Sequence, residues 1–173
     1  MITLTFDGLY RPLHAANATH DHSGLMCYGW VVRRDGREVA HGHGAYARPQ
    51  DASSNSAEYL ALIEGLEALR DMHLEAETVE VIGDARSVID QMMGRANVSS
   101  AQARPLYQRA ARIARHFRRL IWSWRPRKHN HAADRLTRRA LQQVRESHAL
   151  EEMPKPHRRG LISLLNFTVF GAA

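Results

Sequence analysis

The sequence contains a single cysteine, Cys27, in 173 residues. That excludes an internal disulfide and any zinc site built from several thiolates, and it suits a reducing compartment. Long hydrophobic runs are also missing: the apolar stretch Leu161 to Phe170 is well short of the roughly 20 residues that a bilayer-spanning helix needs. The opening residues MITLTFDG lack the basic and long apolar regions of a secretory signal, so the expected location is cytoplasmic. There is no internal repeat and no low-complexity tract. Acidic residues are in deficit, 18 Asp and Glu against 24 Lys and Arg, with an isoelectric point near 10.1. Such a balance predicts attraction to polyanions such as nucleic acid or an anionic membrane surface. The 11 histidines add positive charge when the pH falls. At 44% hydrophobic residues, the length allows one domain with a sizeable core and not two.

What is present is organised around Ser53 to Leu69, SSNSAEYLALIEGLEAL. Glu58, Leu62, Gly65 and Leu69 fall at helical offsets on one face, so a carboxylate shares the core-facing stripe of a predicted helix ending near Met72. Gly65 in mid-helix costs about 1 kcal/mol against Ala and implies close approach to a packed sheet. Glu64, Glu67 and Arg70 lie on other sides and read as solvated surface. Glu58 has a local explanation: Asn55 as helix cap with Glu58 reaching back to its N–H, a capping box. Other isolated acids at comparable places compete with that explanation.

Ile2 to Phe6 alternates as a strand and closes on Asp7-Gly8, which also reads as a turn pair. Residues 9–24 gather Arg11, Pro12, His14, Asn17, His20, Asp21, His22 and Gly24 and read as a long loop, whose histidine spacing fits no zinc pattern. Met26 to Val32 and Arg37 to Ala45 are strands two and three, joined by a hairpin at Asp35-Gly36. A fourth strand, Thr78 to Ile82, closes on Gly83-Asp84 and leads into a helix from Ala85 to about Met93. In such units ligands gather at the carboxyl ends of the strands.

Pro105 opens a helix to about Arg118, with Leu106, Ala110, Ile113 and Phe117 as its apolar stripe. From 104 to 119 the basic residues are Arg104, Arg109, Arg112, Arg115, His116, Arg118 and Arg119, with no acid among them. The helix is thus a candidate contact for a nucleic-acid backbone. Leu120 to Trp124 is the fifth strand, with Trp122 and Trp124 on one face in the core or half buried. Arg127-Lys128-His129-Asn130 links it to a last helix with Ala133, Leu136, Ala140 and Leu141 as buried stripe and Asp134 in its first turn, where an acid favours the helix dipole. The tail from 146 turns basic and then apolar. It is expected to dock on the domain, pair as a strand or bind a partner, including a second copy.

The expected architecture is α/β: a five-stranded mixed sheet with strands 1–3 antiparallel and 4 and 5 added in parallel, flanked by helices. If strands one and four are parallel neighbours, Asp7 and Asp84 converge at one edge, with Glu58 and Asp134 above it. Carboxylates so gathered repel one another unless cations neutralise them. Hard oxygen ligands select Mg²⁺ or Mn²⁺, and a paired site suits in-line displacement at phosphorus.

Thr5-Phe6-Asp7-Gly8, Asn55-Ser56-Ala57-Glu58-Tyr59, Gly83-Asp84 with Val88 and Gln91, and Arg127 through Leu136 (RKHNHAADRL) resemble, in order, the four acidic motifs of the type 1 ribonucleases H. The resemblance covers residues 1–145 and leaves 146–173 as a tail. It implies a ribonuclease H-like fold and a metal-dependent endoribonuclease that hydrolyses the RNA strand of RNA–DNA hybrids with two Mg²⁺ ions, Mn²⁺ substituting. Asp7 would bridge both ions, Asp134 would complete one ion's ligands, and Glu58 and Asp84 would hold the other. Asn55 matches a position that contacts the RNA 2′-hydroxyl, and Gly8, Asn130 and Arg127 fall among the implied substrate contacts. His129 or His131 would assist proton movement or product release. The family's Gly-Asn-Pro-Gly pattern after the first acid is absent, and Ser54 and Ala85 replace its usual asparagine and serine. No separate basic handle segment is visible. The alternatives are a nuclease of the same fold acting on double-stranded RNA or structured DNA, and a non-catalytic basic nucleic-acid binding module. A proofreading exonuclease fits less well, because Leu9 stands where that branch has a glutamate.

Overall fold

The computed structural model describes residues 1–12, 24–48, 52–146 and 162–170. His14, Asn17, His20, Asp21 and His22 of the histidine-bearing stretch lie outside the described residues. The elements follow as β1 (Ile2–Pro12), β2 (Gly24–Arg34), β3 (Arg37–Arg48), α1 (Ser54–Asp71), β4 (Thr78–Gly83), α2 (Arg86–Met92), α3 (Arg104–Ala114), β5 (Arg119–Trp124), α4 (His131–Glu146) and β6 (Ile162–Phe170). They form one mixed sheet in the order β5-β4-β1-β2-β3-β6. The five expected strands pair as expected, β1, β2 and β3 antiparallel and β4 and β5 in parallel. The tail adds a sixth strand, antiparallel to β3 from Ala40↔Phe170 to Ala47↔Ile162. An uncharged run without proline can supply such a strand, and it satisfies the outer backbone edge of β3.

β1 is longer than its alternating segment suggests. Asp-Gly is a frequent turn pair, yet here the strand runs on through Asp7 and Gly8, paired with β2 as far as Pro12↔Gly24. Asp7 therefore sits within a strand and not at its end. Its parallel ladder with β4 does stop early, at Thr5↔Ile82. Asp7 and Asp84 each lie two residues beyond that last pair, which sets the two acids level where β1 and β4 part. The hairpin after β2 places Asp35 at φ 51° and Gly36 at φ 81°, a left-handed pair of the kind that fits the twist of the flanking strands.

The main core lies between the sheet and α1, with α3 packed behind it: Ile2, Leu4, Phe6, Tyr28, Trp30, Val79 and Val81 meet Leu62, Ile63, Leu66, Leu69, Ala110 and Ile113. Gly65 allows this approach, since a Cβ there would lie 2.8 Å from Leu4 Cδ1. Glu64 is not solvated surface: it is half buried and accepts a hydrogen bond from Tyr46 Oη at 2.8 Å. On the other face α4 covers Leu25, Cys27 and Ala45 through Ala140, Leu141 and Val144. It crosses β2 at Gly29, where a Cβ would be 2.6 Å from the Ala133 carbonyl oxygen. Trp122 is half buried against the main core, whereas Trp124 is 43% exposed at the carboxyl end of β5.

Candidate active site

The site is assembled by two close approaches. At Gly8 the backbone of β1 reaches α1 so closely that a Cβ would stand 2.3 Å from Ala57 C and Glu58 N. Glu58 is thereby held over β1, and the Gly8 N–H hydrogen-bonds to its carboxylate. The capping-box explanation fails, because Ser53 is the cap of α1: its Oγ accepts from Ser56 N at 3.1 Å. With the helix starting two residues earlier than that box requires, Glu58 lies in the second turn and faces the sheet. Asn55, freed from capping, is half buried and accepts a hydrogen bond from Ser87 Oγ at 3.0 Å on α2.

The second approach is α4 over β1. Asn130, just before α4, donates from Nδ2 to the Phe6 carbonyl at 2.7 Å, and its Oδ1 is buried without a partner. Two turns further on, Thr137 Oγ1 lies 2.8 Å from Asp7 Oδ2 and 2.7 Å from the Asp134 carbonyl. A hydroxyl has one proton, so Thr137 shares it between these acceptors. Thr137 was not expected from the sequence. Its only signal was a polar residue on the helical stripe that also carries Ala133, Ala140 and Leu141.

Asp7, Glu58 and Asp84 come together, with one carboxylate oxygen from each within 4.8 Å of the others. Their electrostatics are dominated by burial, which nearby donors and Arg127 offset only in part. Burial drives the Asp7 carboxyl from 3.8 up to about 6; the Thr137 hydrogen bond lowers it, Asp84 and Asp134 raise it further, and Arg127 opposes them. Burial also puts Glu58 well above its ordinary value, reinforced by Asp7 and Asp84 and eased by the Gly8 N–H. Asp84 is raised by burial against the lowering influence of Arg127, its own backbone and the Asn130 amide. Glu58 Oε2 is buried with no hydrogen-bond partner. Three oxygen donors, all costly to ionise and one of them orphaned, are a set that a hard divalent cation fits.

Asp134 differs from the other three. Burial would raise its carboxyl, but ion pairs with Arg138 (Nε to Oδ2, 2.8 Å) and with Arg127 outweigh burial and hold it below the ordinary carboxylate range. It lies near enough to raise Asp7 and Asp84, yet its oxygens are engaged by arginines and it stands outside the three-acid cluster. Arg127 is 61% exposed, and His129 and His131 are exposed on either side of buried Asn130. The basic side chains of α3 and its flanks, Arg104, Arg109, Arg112, Arg115, His116, Arg118 and Arg119, are all exposed, while Ala110, Ile113 and Phe117 are buried. Among the described residues no helix is long and apolar enough to cross a membrane.

Residues 15–140 match the family described as reverse transcriptase-like, a span that takes in Glu58, Asp84 and Asp134 but begins after Asp7. A bifunctional protein of Mycobacterium tuberculosis is 37% identical over 103 residues, which is 60% of this chain and 28% of that protein. The chain thus spans less than a third of the length of this relative. The crystal structure of ribonuclease H1 from the halophilic archaeon Halobacterium salinarum is 30% identical, with a TM-score of 0.66, covering 82% of this chain and 98% of that one. The ribonuclease H1 termed LC11, solved in complex with an RNA/DNA hybrid, shares the fold at 23% identity and a TM-score of 0.65, covering 83% of this chain and 99% of that one.

Proposed function

The chain belongs to the reverse transcriptase-like family and, within it, to the type 1 ribonucleases H, and from that premise we propose that it cleaves the RNA strand of RNA–DNA hybrids internally, assisted by divalent cations. The observation that carries this reading is the convergence of buried Asp7 and Glu58 with half-buried Asp84, one carboxylate oxygen from each lying within 4.8 Å of the others. A binding module would gain nothing from buried like charges facing a polyanion.

In this reading Glu58 and Asp84 would hold one Mg²⁺, Asp134 would complete the ligands of a second, and Asp7 would serve both, with Mn²⁺ able to substitute. Bound there, such ions supply an activated water and charge stabilisation at the leaving 3′ oxygen. The chain's own groups do the remaining work. Thr137 holds one oxygen of Asp7 and so orients its carboxylate. Arg138 keeps Asp134 ionised and oriented, and exposed Arg127, beside the same carboxylate, is placed to exchange it for a substrate phosphate. Ser87 occupies Asn55 Oδ1, so the Asn55 amide presents its N–H donors to a 2′-hydroxyl oxygen, the group that distinguishes RNA from DNA. Gly8 offers its backbone without a side chain in the way. His129 and His131, exposed at the rim, suit proton transfer or product release.

The arginines of α3 would add sequence-independent affinity for the duplex backbone. Residues 1–145 would form the catalytic domain, with 146–173 as a tail that contributes β6 and offers a surface for a protein partner or a second copy. A reducing cytoplasm suits buried, unpaired Cys27. The reading is tested by offering end-labelled hybrid, double-stranded RNA, single-stranded RNA and duplex DNA in Mg²⁺ and in Mn²⁺. Selective cutting of the hybrid's RNA strand is expected. Equal or preferred cutting of double-stranded RNA or duplex DNA would move the substrate within the same fold, and binding without cutting would return the chain to a binding module.

A further inference from the structure

The rim of the site carries an arrangement that the acids do not need. Trp124, the last residue of β5, pairs in register with Gly83, the residue before Asp84. Its indole Nε1–H donates to the Asp84 backbone carbonyl at 3.0 Å, which fixes the ring plane against the strand end that delivers Asp84. The ring is 43% exposed, an unusual place for a tryptophan unless one of its faces has an occupant. One face does: the Arg86 guanidinium lies over it, with Cζ 5.4 Å from the ring centroid. Arg86 opens α2, two residues after Asp84, and its side chain is 72% exposed. Its Nε is 3.6 Å from Asp90 Oδ2, so stacking below and an acid on the Nε side hold the fork. The two terminal nitrogens remain for a partner.

We propose that Arg86, stacked on Trp124, is a phosphate clamp for the nucleic-acid strand that flanks the cleavage position, and that Trp124 is its positioning residue. This rests on the ribonuclease reading above. A long arginine tethered to an aromatic face has already lost the side-chain freedom that binding would otherwise remove, and its planar fork matches a phosphodiester. The next residue, Ser87, holds Asn55. The first turn of α2 thus presents the phosphate ligand Arg86 beside Ser87, which holds the 2′-hydroxyl ligand Asn55 of α1, and Trp124 ties Arg86 to the strand end bearing Asp84. The clamp would set the register of the strand against the acids through its backbone, with no reading of base identity.

The test is binding of a fluorescently labelled hybrid, followed by anisotropy in EDTA so that turnover plays no part, over a series of salt concentrations. Arg86→Ala is expected to weaken binding about tenfold, the range for one charge-assisted contact, and to reduce the slope of log affinity against log salt by about one. Arg86→Lys should keep the slope and recover only part of the affinity. Trp124→Ala should fall to the level of Arg86→Ala, and the double variant should fall no further, because the two act as one unit. Indole emission should change when wild-type protein binds hybrid, and Trp124→Phe should remove that change. Wild-type affinity and salt slope in Arg86→Ala, an exposed position that folding does not depend on, would overturn the clamp. So would independent, additive losses from the two residues. Hybrid binding that needs Arg86 in a protein that never cuts would reject the ribonuclease reading and leave the clamp in place; cutting by wild type together with normal binding by Arg86→Ala would reject the clamp alone.

Discussion

Asp7→Asn should stabilise the metal-free protein while abolishing its chemistry. The Asp7 carboxyl titrates near 6 in the folded chain against an ordinary 3.8, burial being the main cause and Thr137 the main relief. An acid whose folded pKa lies above its unfolded value binds its proton more tightly when folded. It costs nothing below about pH 3.8, and the cost grows as the pH rises through 6. At about 1.36 kcal/mol per pH unit, that cost is about 3 kcal/mol at pH 7.5 and falls to roughly a third of that at pH 4.5. Asparagine keeps an oxygen for the Thr137 hydroxyl and carries no charge. It also removes a negative neighbour from Glu58, whose own carboxyl is raised by burial and then by Asp7. After the cost of burying an amide, a net gain of about 2 kcal/mol corresponds to a rise in Tm of about 4–8 °C for a domain of this size. Thermal melts followed by circular dichroism, in EDTA at pH 7.5 and pH 4.5, read this directly. The advantage should shrink at the lower pH, and saturating Mg²⁺ should raise the wild type more than the variant. A variant that melts at or below wild type in EDTA at pH 7.5, or one whose advantage is the same at both pH values, would refute the electrostatic account.

Thr137→Ala removes the hydroxyl that lowers the Asp7 carboxyl, so the acid limb of the pH–rate profile should move to higher pH, with Thr137→Ser restoring it; an unmoved limb would make Thr137 merely structural. Gly8→Ala puts a methyl group 2.3 Å from the α1 backbone, and a loss of more than about 3 kcal/mol in urea melts is expected, because neither backbone can yield cheaply. Deleting 146–173 strips β6 from the outer edge of β3, so the truncated chain should self-associate in sedimentation experiments. Its activity per folded molecule should not rise, since β3 is separated from β1 by β2; a rise would mean that the tail covers the substrate groove.

Much of this arrangement was legible because it rests on periodicity. Glu58 on the stripe with Leu62, Gly65 and Leu69 revealed a carboxylate facing the sheet, and Gly65 revealed the close approach that Leu4 fills. The strand and helix order allowed β1 and β4 to be parallel neighbours, and the register they adopt levels Asp7 with Asp84. What was hidden depended on choices between similar local signals. Asp7-Gly8 reads equally well as a turn, and only the long antiparallel partner in β2 carries the strand past it. Ser53 and Asn55 are both good caps, and the contest was decided by Ser87 on α2, 32 residues away. The engagement of Asp134 by Arg127 depends on how the segment before α4 turns back, which no spacing rule encodes, whereas its Arg138 partner stands at the ordinary helical i,i+4 spacing. Thr137 looked like a neutral helix residue because its partner is 130 residues distant. Trp124 read as core or half-buried sheet because it shares a strand face with Trp122, but its place at the carboxyl end of β5 leaves it 43% exposed.

The most direct measurement is single-turnover cleavage of an end-labelled RNA–DNA hybrid by the wild type and by Asp84→Asn, each in Mg²⁺ and in EDTA. The account predicts cuts within the RNA strand by wild type in Mg²⁺, none in EDTA, and a rate at least about a hundredfold lower in the variant. Cleavage that persists in EDTA, or that survives Asp84→Asn, would contradict the claim that the buried carboxylates form a cation-dependent nuclease centre.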